Sequence, residues 1–438
     1  MSTEINPIKF NVLSTSADVK KINSVIITAP NYLVNKYYHQ ASIAKKEKLL
    51  AQAFYKRDIP LSFIDEHYKN NITTYTKEFF LNFFVISFLY KELRSKKIIL
   101  AGDPRLSKVE LEHNCEAKFY FEFTPIEKFI IEDWKYLIFR APKRKKYKDL
   151  DKQADSFLKE ELNNKKEFET KNLEIKIGDW ICFNIYPVDN ENKPVLDHHK
   201  ENLWLKIGDE ESSIIYQEIF VGKKINDQFY SSSPILLEYF NDLADLIFSF
   251  GIEIIDILPK SHVSLEFFKN HFNLKTNKNV HQKLIEVFSF KNDLSLRKST
   301  IEELFDLFLN KFNVPAPVST ILRQQQLILN DLQQNPDYPV YRMQKEFNEK
   351  VYQLAQRQVK EMILIDYISF TENINIDHND VKNYLHLSLR PRTKELIYFQ
   401  HSAIKANENE YPIASEVLKH ICLREKTLNY ILNILTRD

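Results

Sequence analysis

Between residues 179 and 258, four short runs, DWICFNIYPV, NLWLKI, SSIIYQEIFV and SFGIEIIDIL, are apolar and rich in β-branched and aromatic side chains. Runs of this length between turn-forming residues predict strands. Four of the five glycines, Gly178, Gly208, Gly222 and Gly251, fall in the same stretch, where turns that need positive φ would cluster. Residues 171–258 therefore read as a small antiparallel β domain set into a mostly helical chain. Ahead of it, a strand at SVIITAP, a helix over Tyr32–Tyr55, helices from Ser62 to Arg94 and a strand at AKFYFEF predict an α+β unit in residues 1–128. Residues 129–170 read as a linker with a charged helix over Asp149–Phe168.

From residue 262 onward the pattern is nearly all helical, giving a C-terminal body of residues 259–438. Prolines bracket a helix over Pro317–Gln334, since proline is tolerated at a first turn but not inside. A second helix, Val340–Thr371, puts Phe347, Val351, Ala355, Val359 and Met362 on one face. Asp377 and Asp380 form an N-cap pair for VKNYLHLSLR, and a last helix spans Ile413–Leu435. Helices joined by short connections make long, arm-like hairpins. The fold class is α+β multidomain.

Charge changes this picture little. Lys plus Arg number 61 and Asp plus Glu 60, so no global field draws the chain to nucleic acid or membrane. The basic run PKRKKYK reads as a solvated linker ahead of a phosphate-contacting patch. With only five glycines there is no GxGxxG or GxxxxGK phosphate cradle, and no cofactor is expected. Cys115, Cys182 and Cys422 have neither disulfide nor zinc spacing. Asp197 beside His198 and His199 reads as a surface turn, so no metal is expected. No nucleophile motif, signal peptide or membrane span is recognised, and the expected location is the cytoplasm.

One stretch is unusual. LLAQAFYKRDIPLSF sets Phe54 and Tyr55 against Lys56 and Arg57, then Asp58 and Pro60, between two helices. The residues alone suit equally a hydrophobic staple and a docking tip that holds phosphate by charge and protein by its rings. Ala53–Pro60 resembles the Gly-Phe-Arg-x-Gly-Lys-x-Pro loop of bacterial trigger factor, with His67 and Tyr68 where that family has Arg-Tyr. Both glycines, the first Arg and the second Lys are replaced. ILAGDP, FYFEFTP, FNVPAPVSTILRQQ and VKEMILIDYISFTENINID resemble further family segments, in family order, over nearly the whole chain.

The resemblance implies a ribosome-binding head, an FKBP-like insert and a helical chaperone body. It implies docking at the ribosomal tunnel exit, on ribosomal protein and RNA, through Phe54, Tyr55, Lys56, Arg57, Asp58 and Pro60. Its partners would be unfolded nascent polypeptides, with no membrane and with a weak homodimer allowed off the ribosome. The alternative is a peptidyl-prolyl cis-trans isomerase. Its pocket would use Ile185, Asp197, Tyr216 and Phe250, with Ile185 in place of an aromatic and Ser212 and Ser213 in place of an apolar pair. Hydroxyls hold a proline ring less well than apolar side chains do, so weak or no isomerase activity is expected.

Overall fold

The computed structural model describes residues 9–13, 23–51, 59–102, 104–126, 129–140, 152, 154–156, 173–189, 191–196, 200–208, 214–240, 249–259, 269, 272, 274–289, 296–388, 397–400, 405–406, 409–410 and 412–436. The chain mixes helices with two larger antiparallel sheets. The first sheet has the order β1 (Lys9–Leu13), β2 (Asn23–Ala29), β4 (Ala117–Phe123), β3 (Arg105–Glu110). In β4 the buried residues Ala117, Phe119, Phe121 and Phe123 alternate with partly exposed Lys118, Tyr120 and Glu122, the period of a strand with one covered face. The cover is helical: α1 (Asn31–Ala51), α2 (Leu61–His67), α3 (Lys69–Phe80) and α4 (Ile86–Ser95). Tyr37 of α1 stacks on Phe79 of α3 at 4.0 Å. A π-helical turn, Leu81–Val85, joins α3 to α4. Phe79, Phe80, Phe83 and Phe84 around it are all buried.

The second sheet runs β11 (Ile413–Ala414), β6 (Glu201–Lys206), β5 (Trp180–Val188), β8 (Ser249–Leu258), β7 (Gln228–Ser231). Strand β5 is covered on both faces, which explains its nearly continuous apolar run. Ile181, Phe183 and Ile185 share a core with the first sheet and its helices, while Trp180 and Cys182 face a separate core with Trp204, Tyr384 and Leu418. The run SSIIYQEIFV, read as a strand, instead holds helix α5 (Ile214–Phe220). Tyr216 and Phe220, four residues apart, are buried, while Ile214 and Ile215 lie half in solvent. Tertiary burial at helical spacing overrides β-branched propensity. A second short helix, α6 (Pro234–Phe240), follows β7.

The C-terminal part is not purely helical. Ile413 and Ala414 pair with Trp204 and Leu203, and β9 (Lys405–Ala406) pairs with β10 (Asn409–Glu410), so the chain returns to the second sheet before its last helix. Its helices are α7 (Asn277–Ser289), α8 (Leu296–Lys311), α9 (Val318–Gln333), α10 (Tyr338–Arg342), α11 (Phe347–Thr371), α12 (His378–Ser388) and α13 (Ser415–Leu435). The single helix expected over Val340–Thr371 is broken at Glu346, which takes a left-handed φ of 66°. The Asp377–Asp380 pair does form a reciprocal cap, each backbone N–H donating to the other carboxylate at 2.8 and 3.0 Å.

Buried polar groups fasten the body. Arg424 grips Asp366 with two hydrogen bonds of 2.9 and 2.7 Å. Glu425, fully buried, accepts from Arg297 at 3.2 Å and from the Tyr398 and Phe399 amides at 3.0 Å each. Removing one partner of such a pair strands a buried charge. Glu425→Ala should cost about 3–5 kcal/mol, read as a lower denaturation midpoint in urea.

Candidate functional site

Helices α9 and α11 form a hairpin capped by α10, and its sequence explains why it stands clear. From Leu322 to Lys350 no residue is buried. Ile328 packs there while only partly buried, and polar contacts share the seam: Gln324 donates to Gln358 at 2.9 Å and Gln325 to the Asn348 carbonyl at 3.3 Å. Leu322, Leu327, Val340, Met343 and Leu354 are exposed along it, Met343 at 86%. At its tip Tyr338 meets Phe347 edge to face at 6.2 Å, beside an open concavity of about 640 Å³ that Arg342 and Glu349 also line.

The hairpin is held at its root. Pro317 caps α9 in extended backbone, and the Thr320 hydroxyl donates to the Ala101 carbonyl at 2.8 Å. Gly102 lies beside this joint with φ +86°, where a Cβ would come within 2.7 Å of the Thr320 methyl. Only glycine suits both demands.

A second apolar surface lies on residues 129–140. Trp134 and Leu137 plug the body core, Phe129 packs on Tyr367 at 4.3 Å, and Lys135 pairs with Glu372 at 2.6 Å. Held by these anchors, Ile130, Tyr136 and Ile138 project into solvent with 74%, 82% and 85% of their surface exposed. A cleft of about 480 Å³ runs beside them, between Phe129 and Glu372. Sequence reading missed this surface, because PIEKFIIEDWKYLIFRAP is dense in apolar residues without the period that would separate inside from outside.

Phe54, Tyr55, Lys56, Arg57 and Asp58 lie outside the described residues. Pro60 is exposed at the N-cap of α2, and Ile59 beside it is buried. The flanking helices are tied by a 2.8 Å hydrogen bond from Ser42 to Asp65 and by Lys45 over the Tyr68 ring.

Of the four prolyl-pocket candidates, Ile185, Tyr216 and Phe250 share one core and are 0%, 1% and 1% exposed. Asp197 lies outside the described residues, as do His198 and His199. Phe250 packs against Phe240 at 5.4 Å, and Phe240 against Phe83 of the π-helical turn at 5.3 Å. The protein's own rings thus pack over this group of candidates. Burial pushes the thiols of Cys182 and Cys422 well above their ordinary values, so neither is an activated nucleophile. Among the described residues no group of three or more His, Cys, Asp or Glu side chains could hold a metal, and no helix is long and apolar enough to cross a membrane.

No protein-family model and no curated protein matches the chain. A solved structure does. The chain is similar to one described as "Promiscuous Substrate Recognition in Folding and Assembly Activities of the Trigger Factor Chaperone". Identity is 16%, the match covers 97% of this chain and 99% of that one, and the TM-score is 0.35.

The hairpin root gives a direct check. Gly102→Val forces a branched side chain into left-handed backbone and into Thr320, and should cost about 1–3 kcal/mol. Faster limited proteolysis around residues 102 and 318 and a lower thermal midpoint would register it.

Proposed function

We propose that the chain is an ATP-independent chaperone that shields unfolded polypeptide. The observation that carries this reading is the α9–α11 hairpin, whose 29 residues from Leu322 to Lys350 include none that is buried while large apolar side chains face water along it. Soluble proteins rarely leave such surfaces uncovered without using them. The exposed Ile130, Tyr136 and Ile138 add a second contact on a rigid mount. Several weak apolar contacts hold an unfolded segment without trapping it, since each buried side chain contributes about 1.5–3 kcal/mol at most. With five glycines in the chain and no phosphate cradle among them, release does not call on a nucleotide.

Docking at the ribosomal tunnel exit, in the cytoplasm, is the second part of the proposal. It rests on the resemblance of Ala53–Pro60 to the family loop. Isomerase activity is the weaker reading, because Ile185, Tyr216 and Phe250 are closed off by the protein's own aromatic side chains.

Three measurements test these statements. In an aggregation assay with a chemically unfolded client, the combined change Leu327→Ser, Val340→Ser and Met343→Ser should raise the chaperone concentration needed for half-protection about tenfold. Unchanged protection by a folded variant removes the hairpin from the proposal. In ribosome cosedimentation, Phe54→Ala with Lys56→Ala and Arg57→Ala should abolish pelleting, and retained pelleting defeats the docking assignment. In a prolyl isomerisation assay the full chain should stay near the spontaneous rate, whereas fast turnover would overturn the demotion of the second sheet.

A further inference from the structure

The α3–α4 helices and the second sheet are far apart in sequence yet share one core. Phe79 and Phe83 pack on Phe240 at 6.0 and 5.3 Å, and the Asn82 amide donates to the Phe240 carbonyl at 3.3 Å. Among the described residues, one acidic side chain enters this seam. Glu201, on β6 directly across from Ile185, accepts a 2.5 Å hydrogen bond from the hydroxyl of Ser87, itself buried on α4. Glu201 is partly buried, and a carboxylate turned toward an apolar core with a single hydroxyl partner among the described residues is costly, whereas the neutral acid is tolerated.

No cation within ion-pairing distance offsets that cost among the described residues. On α4, Arg94 is engaged by Glu416 and Lys91 is exposed. On α13, Lys419 also pairs with Glu416, and His420 lies beside Tyr90. On the sheet, Lys200 pairs with Glu253 and covers the Tyr186 ring, while His378 and Lys382 are held by Asp256 on the far face.

We propose that the Ser87–Glu201 contact is a protonation latch, which keeps the head helices closed on the second sheet while Glu201 is neutral and loosens them when it ionises. The device stands on the seam itself and does not depend on what the protein binds. Burial raises the Glu201 carboxyl from its ordinary 4.5 to about 8, with the Ser87 hydroxyl pulling slightly the other way. A value raised in the closed form means that closure is firmest below pH 4.5. It weakens about tenfold per pH unit up to about pH 8 and levels off above that. Opening would uncover Phe83, Phe240 and the closed Ile185–Phe250 wall.

The test is resonance energy transfer between dyes on Cys115, the one exposed cysteine, and a second cysteine at Lys193→Cys in the turn that follows β5 of the second sheet. Efficiency in the otherwise unchanged protein should fall between pH 5 and 8 while far-UV circular dichroism holds constant. Glu201→Gln, neutral at every pH, should abolish the change. Flat efficiency across that range, a transition that Glu201→Gln retains, or a fall that accompanies loss of helix each overturns the latch. If Glu201→Gln does not fold, the response of the labelled parent alone decides.

Discussion

Helix α13 is the element on which the rest of the structure depends, because all three cores close against it or the residues that lead into it. Ala414 and Val417 meet the core shared by the two sheets, Leu418 and Cys422 the far face of the second sheet, and Leu428, Ile431, Leu432 and Leu435 the body. Its first turn is pinned from both sides: the Ser415 hydroxyl donates to Asn202 at 2.6 Å, and Glu416 takes Arg94. Midway, Glu425 ties down residues 398 and 399 and the buried Arg297. The last segment of the chain therefore joins parts that the sequence presents as separate runs. A helix in this position needs apolar residues on several faces, which matches its many buried positions.

This explains what could be read in advance and what could not. Strand β4, with its strict alternation, coincides with AKFYFEF, and the Asp377–Asp380 cap and the proline-bounded α9 were legible because each depends on neighbours in sequence. The misreadings were tertiary. Helix α5 looks like a strand until one knows that Tyr216 and Phe220 are its buried residues, with Ile219 partly buried beside them. Strand β11 is two residues long and exists because Trp204 and Leu203 offer an edge. The break at Glu346 carries no glycine or proline to announce it. The exposed apolar side chains were the least legible part of the site. Ile138 and Leu137 are adjacent and equally apolar, yet one is in water and the other in the body core.

The same geometry shapes how the proposed chaperone would hold a client. Neither apolar surface is a deep pocket. The hairpin spreads its exposed residues along α9, α10 and α11, with amide side chains between them that can bond to a client's backbone. Residues 129–140 instead fix three projecting side chains by burying Trp134 and Leu137 beside them. Spread contacts let an unfolded chain exchange among sites, and the rigid mount saves the entropy of ordering the chaperone's own segment.

The second sheet fits this view better than it fits catalysis. Proline isomerisation needs an open apolar wall that favours the twisted amide over the planar one, against a barrier of about 18–20 kcal/mol. Here the candidate residues are packed over: Phe250 meets Phe240, and Phe240 meets Phe83. Phe240 also takes Phe79 of the head helices, so these ring contacts tie the head to the second sheet and contribute stability to the whole chain. In the proposed reading, the apolar side chains of the insert thus serve as the floor on which the head is built.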